Sequence, residues 1–121
     1  MKLIMRLIFI CQLLFSYSLF AEESDVIKVS VSKTKANTYL FDVTISHNDT
    51  GWDHYVNKWD IVDDKGNVLG TRTLYHPHVD EQPFTRSLSG VEIPSKIQSV
   101  SVRAHDLVDG YGGRVMTVKL P

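Results

Sequence analysis

Hydrophobic and polar residues alternate with a period of two along most of the chain beyond residue 25. Such alternation is typical of β-strands that bury one face, and no stretch in this region shows the 3.6-residue period of an amphipathic helix. In the four clearest stretches the apolar positions are Ile27, Val29 and Val31; Tyr39, Phe41, Val43 and Ile45; Val100, Val102 and Ala104; and Met116, Val118 and Leu120. The pattern therefore predicts an all-β chain beyond residue 25.

Three further strands complete the predicted set, at residues 55–62, 68–75 and 85–88, with Trp59 facing inward. Residues 63–67 (DDKGN) are typical of a hairpin turn, because glycine and asparagine tolerate a positive φ. Seven short antiparallel strands, separated by turn signals roughly every ten residues, are typical of a β-sandwich. We therefore expect one seven-stranded antiparallel sandwich.

Chain order predicts which loops of such a sandwich lie together. Alternate connections fall at opposite ends, so residues 34–38, 63–67 and 91–98 belong to one end. The loops at residues 48–53, 76–84 and 106–113 belong to the other end, which we call the histidine pole. All five histidines of the chain fall there, at His47, His54, His76, His78 and His105. Loops at one end of a rigid scaffold are a common place for binding residues, so we expect the functional site at this pole.

The first residues have the pattern of a secretory signal peptide. Lys2 and Arg6 precede an apolar run at residues 7–15, and smaller residues lead to Ala21. The run is shorter than the ~20 apolar residues that a membrane-spanning helix needs. We expect a signal peptide over residues 1–21, cleaved after Ala21, and one domain over residues 22–121. The mature protein is then periplasmic or secreted and has no stable membrane anchor.

Cysteine and charge exclude several classes of function. Cys11 is the single cysteine and lies in the predicted signal peptide, so the mature domain has neither a disulfide nor a thiolate ligand. Of 13 basic and 14 acidic residues, Lys2 and Arg6 leave with the signal, so 11 basic residues remain and the net charge is −3 with histidine neutral. No basic patch or stripe is visible, which argues against nucleic acid and anionic lipid as partners.

The histidines indicate a metal site. In His76-Pro77-His78 the proline favours an extended backbone, in which residues two apart face the same way. His54 and His105 come from the neighbouring connections, and neutral imidazoles with carboxylates suit Zn²⁺ or Cu²⁺. We therefore predict a divalent copper or zinc site formed by His54, His76, His78 and His105. His47, at the end of a predicted strand, is expected to be structural.

A second interpretation uses the same loops without a metal. The residues expected to make contacts at the pole are Trp52, Asp80, Glu81, Asp106 and Tyr111. In this interpretation the chain is a protein-interaction module whose partner is another extracytoplasmic protein. The acidic residues also fit a merely solvated surface. No nucleophile motif or oxyanion loop is present, so we do not expect an enzyme.

Two resemblances follow from longer stretches. The stretch SGVEIPSKIQSVSVRAHD (89–106) resembles the corner and following strand of fibronectin type III and immunoglobulin-like domains, which implies that fold but no particular role. HPHVDEQPFTRSLSGVEIP (76–94), with GWDHY (51–55) and VRAHD…GYGGR (102–114), resembles a group of small exported bacterial proteins. This second resemblance implies an exported, compact β-domain and supplies no reaction.

Overall fold

The computed structural model describes residues 23–121, and the predicted signal peptide lies outside the described residues. The described part of the chain folds into seven antiparallel strands and contains no helix. The strands are β1 (Asp25–Lys35), β2 (Thr38–Ser46), β3 (Val56–Val62), β4 (Val68–Thr73), β5 (Phe84–Glu92), β6 (Ser99–Asp106) and β7 (Met116–Lys119). The prediction of an all-β chain with seven antiparallel strands is confirmed. Over residues 23–121 no helix is long and apolar enough to cross a membrane.

The strands form two sheets that enclose one core. The three-stranded sheet has the order β1-β2-β5, and the four-stranded sheet has the order β4-β3-β6-β7. Inward residues of β2, β3 and β6 supply most of the buried apolar side chains, and Trp59 and Phe41 are the largest of those that are fully buried. The predicted inward orientation of Trp59 is confirmed. Burying alternate residues of both sheets stabilises the sandwich and gives the loops at its ends a rigid base.

The first strand departs from the predicted alternation at its start. A register shift between Val26 and Lys28 inserts one extra residue, and Ile27 falls within it. Val26 is therefore buried and Ile27 is exposed, whereas Val29 and Val31 pack against the core as expected. The prediction that Ile27 shares the inward face is wrong, because a bulge changes the phase of every residue on one side of it.

Two strand limits also differ from those expected. β5 extends over Phe84–Glu92 instead of residues 85–88, and β4 ends at Thr73 instead of residue 75. β5 is longer because it pairs with almost the whole of β2, from Thr38 opposite Glu92 to Ile45 opposite Phe84. The length of a strand thus follows its partner, which local alternation does not show.

The loops divide between the two ends as chain order predicts. At one end Ile93 donates a 2.9 Å backbone hydrogen bond to Asn37, which joins the turn after β1 to the corner after β5. At the other end the amide of Leu107 donates to the carbonyl oxygen of Tyr55, 3.2 Å away, and so ties the loop after β6 to the start of β3. The connections after β2, β4 and β6 therefore meet at the histidine pole.

Candidate metal centre

Three side chains at the histidine pole come close enough together to hold a metal ion. They are His47, His54 and Asp106, and one ligand atom from each lies within 4.8 Å of the other two. His47 directly follows β2, His54 precedes β3 and Asp106 is the last residue of β6. The connection between β2 and β3 thus supplies two imidazoles, and the end of β6, which is distant in sequence, supplies one carboxylate.

The local backbone explains why these side chains point toward each other. Asp106 continues the inward phase of β6 after Val102 and Ala104, and it is fully buried. His54 closes a tight turn in which its amide donates to Gly51 and its carbonyl oxygen accepts from Thr50. Gly51 has a φ of 157°, a conformation that a glycine adopts readily. The turn brings the His54 ring edge-on to that of His47, with 4.8 Å between the ring centroids.

Asp49 orients the His47 ring. Its Oδ1 atom lies 2.5 Å from Nδ1 of His47 and also accepts a hydrogen bond from the amide of Val56, while Oδ2 accepts from the amide of His78. Burial alone would raise the pKa of Asp49, but these hydrogen bonds and the charge of His47 outweigh burial and lower it. An ionised Asp49 requires a proton on Nδ1 of His47. When the ring is deprotonated, as ligation requires, Nε2 carries the lone pair, which is the arrangement that carboxylates impose on metal-binding histidines.

Asp106 is held from two sides. Oδ1 accepts the amides of Val108 and Asp109 at 2.9 and 2.7 Å, and Oδ2 accepts the hydroxyl of Ser24 at 2.7 Å. These hydrogen bonds outweigh the effect of burial and lower the pKa of Asp106, so the group is a carboxylate at neutral pH. A carboxylate has about four acceptor positions. One position on Oδ2 is therefore still open, and His47 Nε2 lies 3.8 Å from that oxygen.

His54 occupies the solvent side of the group. Its Nε2 atom lies 3.3 Å from Oδ1 of Asp106 and 3.5 Å from Oδ2 of Asp109. This nitrogen is buried, and within residues 23–121 it makes no hydrogen bond of acceptable geometry. A buried polar atom without a hydrogen bond is uncommon and calls for a physical explanation. A cation bound between this nitrogen and the two carboxylate oxygens that it faces would explain the missing hydrogen bond.

His76 and His78 lie beside this group in the connection between β4 and β5. His78 is buried, stacks on Phe84 with 4.1 Å between ring centroids, and has its Nδ1 3.9 Å from Oδ2 of Asp49. Burial lowers the pKa of His78, so its ring is neutral at pH 7. His76 is exposed, and its ring centroid lies 4.7 Å from that of His78. The two imidazoles are therefore neighbours, one exposed and one buried.

His105 projects from the opposite face of β6 to Asp106. Its Nδ1 lies 2.6 Å from Oδ1 of Asn57, and its ring meets the edge of Tyr111. Tyr111 in turn donates a 2.6 Å hydrogen bond to Asp60 on the outer face of the four-stranded sheet. His105 thus belongs to a polar network on that outer face, although in sequence it directly precedes a loop of the histidine pole.

The remaining predicted contact residues lie at the surface of the pole. Trp52 is 66% exposed and touches only the edge of Tyr55 among the ring contacts of the described residues. Asp80 is exposed, and Glu81 is exposed but makes a bidentate pair with Arg86. These positions are accessible to a partner, whereas Asp106 is fully buried and is accessible only to a small ligand.

Sequence reasoning placed His47 among the structural residues, but it lies within the group that could hold a metal. The signal that points to it is the spacing His47-Asn48-Asp49 at the end of a strand. The backbone turns between the two residues, with the amide of Asp49 donating a 3.0 Å hydrogen bond to the carbonyl oxygen of His47, so a carboxylate at that spacing can reach the ring. The partnership with Asp106 has no comparable local signal.

Comparisons with known proteins give one similarity. No family model matches the chain, and no solved structure matches it. Over 96 residues the chain is 38% identical to a protein of Halomicrobium mukohataei that bears the name "Putative lipoprotein". The aligned region covers 79% of this chain and 47% of that relative, so the chain spans about half the length of the curated relative it matches.

Proposed function

We propose that the protein is an extracytoplasmic binding module that holds a divalent transition metal with His47, His54 and Asp106. The single observation that carries the proposal is the convergence of two imidazole nitrogens and one carboxylate oxygen within 4.8 Å at the histidine pole. The ligand set expected from the sequence shares His54 with this group. Ligation by His76, His78 and His105 stays a prediction.

The donor atoms favour Zn²⁺ or Cu²⁺. Imidazole nitrogen and carboxylate oxygen are borderline ligands, and the mature domain offers no thiolate. Bonds of about 2.0–2.1 Å in a tetrahedral site place ligand atoms about 3.3 Å apart. Nε2 of His54 already lies 3.3 Å from Oδ1 of Asp106, and Nε2 of His47 lies 3.8 Å from Oδ2, the oxygen with the open acceptor position. Small side-chain movements would therefore close the site around an ion.

Compartment and fold class are part of the proposal. The name of the Halomicrobium mukohataei relative supports an extracytoplasmic location, as does the signal-like pattern of residues 1–21.

We place the domain in the fibronectin type III class of sandwiches. In constant-type immunoglobulin domains the fourth strand joins the sheet of the first two. Here β4 pairs with β3 in the other sheet, which supports the fibronectin alternative.

A protein-interaction module is the second candidate, and one observation favours it. Each of the three loops at the histidine pole exposes large apolar side chains, namely Trp52, Tyr75, Val79, Leu107 and Val108. Exposed apolar residues grouped at one end of a domain are typical of interaction surfaces. In this alternative another extracytoplasmic protein binds at the pole, and the buried histidines and aspartates only hold the loops in place.

Metal titration separates the two candidates. Purified metal-free protein is titrated with Zn²⁺ and with Cu²⁺ while the melting temperature is followed. An ion that binds only the folded state stabilises it by about 2.7 kcal/mol at a hundredfold excess over Kd. We expect a rise in the melting temperature that Asp106→Asn and His54→Ala abolish. His105→Ala, on the outer face of the sheet, is the matched control and should keep the rise.

Two results would contradict the metal proposal. If neither ion raises the melting temperature of the wild-type protein, the site does not bind metal and the interaction module becomes the better candidate. If the rise persists in Asp106→Asn and disappears in the His76→Ala/His78→Ala double variant, the metal lies in the loop between β4 and β5. The second result would restore the ligand set expected from the sequence.

A further inference from the structure

We infer that Asp109 is the fourth ligand of this site and that it controls how fast the metal exchanges with solvent. The inference rests on the proposed function and deepens it, because it names the ligand that completes the shell and slows release of the metal. The side chain of Asp109 lies on the solvent side of the group, next to that of His54.

The position of Asp109 relative to His54 supports this role. Oδ2 of Asp109 lies 3.5 Å from Nε2 of His54, and Oδ1 of Asp106 lies 3.3 Å from the same nitrogen. Two carboxylates therefore flank one imidazole nitrogen that makes no hydrogen bond with any described residue. If the Asp109 side chain turned toward the group of His47, His54 and Asp106, an ion there would have a shell of two nitrogens and two oxygens.

Exposure differs sharply among the four side chains. Those of His47 and Asp106 are 0% exposed, that of His54 is 16% exposed and that of Asp109 is 35% exposed. The inner two ligands are therefore covered, and the two outer side chains form the solvent side of the group. The route that these exposures favour for an ion leads past His54 and Asp109, and of these Asp109 has the shorter and more accessible side chain.

Hydrogen bonds in the loop after β6 fix the backbone of Asp109 beside the group. Its amide donates a 2.7 Å hydrogen bond to Oδ1 of Asp106, so the backbone of the outer ligand is fixed to the inner one. Asp106 and Gly110 also exchange backbone hydrogen bonds of 3.1 Å, which close the loop. On the far side Tyr111 is tied to Asp60. The backbone is thus held at both sides, while the Asp109 side chain can turn outward toward solvent.

With Asp109 as a ligand the metal has four protein ligands, and without it the metal has three. A zinc site with four protein ligands is closed, whereas a site with three keeps a water in the fourth position. Removing the Asp109 carboxylate should therefore leave a water-bound ion that is held more weakly and released faster. The buried ligands would be unchanged, so binding would be reduced and not lost.

The test compares Asp109→Asn with Asp53→Asn. Asp53 is an exposed carboxylate next to His54 in sequence, and no hydrogen bond or ion pair joins it to another described residue, so it controls for lost charge at the pole. Zn²⁺ affinity is measured by competition with a chelating dye, and release is measured by chelator capture in a stopped-flow instrument. Bound Co²⁺ gives a visible spectrum that reports whether the shell is tetrahedral.

We expect Asp109→Asn to weaken Zn²⁺ binding and to accelerate release, each by about tenfold or more, and to change the Co²⁺ spectrum. Asp53→Asn should stay within about twofold of the wild type, because it removes only an exposed, solvent-screened charge that makes no contact with the group. If Asp109→Asn matches Asp53→Asn while His54→Ala loses binding, Asp109 is not a ligand and the metal site stands without it. If the wild type binds no metal, the inference and the proposed function are both overturned.

Discussion

Nδ1 of His47 lies 2.5 Å from Oδ1 of Asp49, and both side chains are fully buried. The same carboxylate accepts the amides of Val56 and His78. Asp49 therefore satisfies donors from three segments that meet at the histidine pole. It holds the loops together and fixes the ring that the proposed metal needs.

Replacing Asp49 with alanine should destabilise the protein by about 3 kcal/mol, because it leaves buried donors without an acceptor. Urea unfolding of Asp49→Ala measures the loss. Asp80→Ala, at an exposed position on the same pole, should change the free energy of unfolding by less than about 0.5 kcal/mol. Equal stabilities for the two variants would show that Asp49 does not hold the loops.

A substitution at Gly113 should disturb the start of β1. A Cβ atom there would lie 1.7 Å from the carbonyl oxygen of Ser24, so the backbone must move. We expect Gly113→Ala to lower the free energy of unfolding by about 2–3 kcal/mol. Gly112→Ala is the control, because a Cβ atom there would lie 3.1 Å from its nearest neighbour, Oε1 at the flexible end of the Glu23 side chain. A fully stable Gly113→Ala variant would contradict this close approach.

Asp60 should stabilise the fold only while it is ionised. Burial opposes ionisation, but hydrogen bonds from Tyr111 and Thr71 and the charges of Lys58 and Arg103 lower the pKa of Asp60. A lowered pKa in the folded state stabilises above the unfolded value of about 3.9, and this stabilisation disappears as the pH falls through the folded value. The difference in unfolding free energy between wild type and Asp60→Asn should therefore shrink below about pH 4. A difference that stays constant from pH 7 to pH 2 would refute this assignment.

His78 should make stability depend on pH near neutrality. Burial lowers the pKa of His78, followed by the charges of Arg86 and His76, while Asp49 and Glu81 act in the opposite direction. Below about pH 6.5 the unfolded chain binds a proton that the folded chain resists, so folding weakens as the pH falls.

The measurement is thermal unfolding of metal-free His78→Leu and wild type at pH 7.5 and 5.5. The variant should lose less stability than the wild type between these two values, because it lacks the titrating ring. Asp80→Asn changes an exposed residue in the same loop and should follow the wild type. A His78→Leu variant with the pH response of the wild type would show that another group is responsible.

The sequence determined the strands and the end of the domain that carries the candidate metal ligands. Alternation in β2 and β6 identified inward residues correctly, because a strand that buries one face must place apolar residues at every second position. Chain order alone then put the connections after β2, β4 and β6 at one pole, because antiparallel strands reverse direction at each turn. Local pattern did not reveal the bulge at Ile27 or the full length of β5, since both depend on the partner strand.

Only the tertiary structure decided which side chains meet at that pole. His105 and Asp106 are adjacent in sequence, yet they point to opposite faces of β6, so one joins the outer polar network and the other joins His47 and His54. Asp106 is also fixed by Ser24, 82 positions away in the chain. A site of this kind depends on distances between atoms of remote segments, and those distances are set by the packing of the two sheets and by hydrogen bonds between loops, which leave no periodic signal in the sequence.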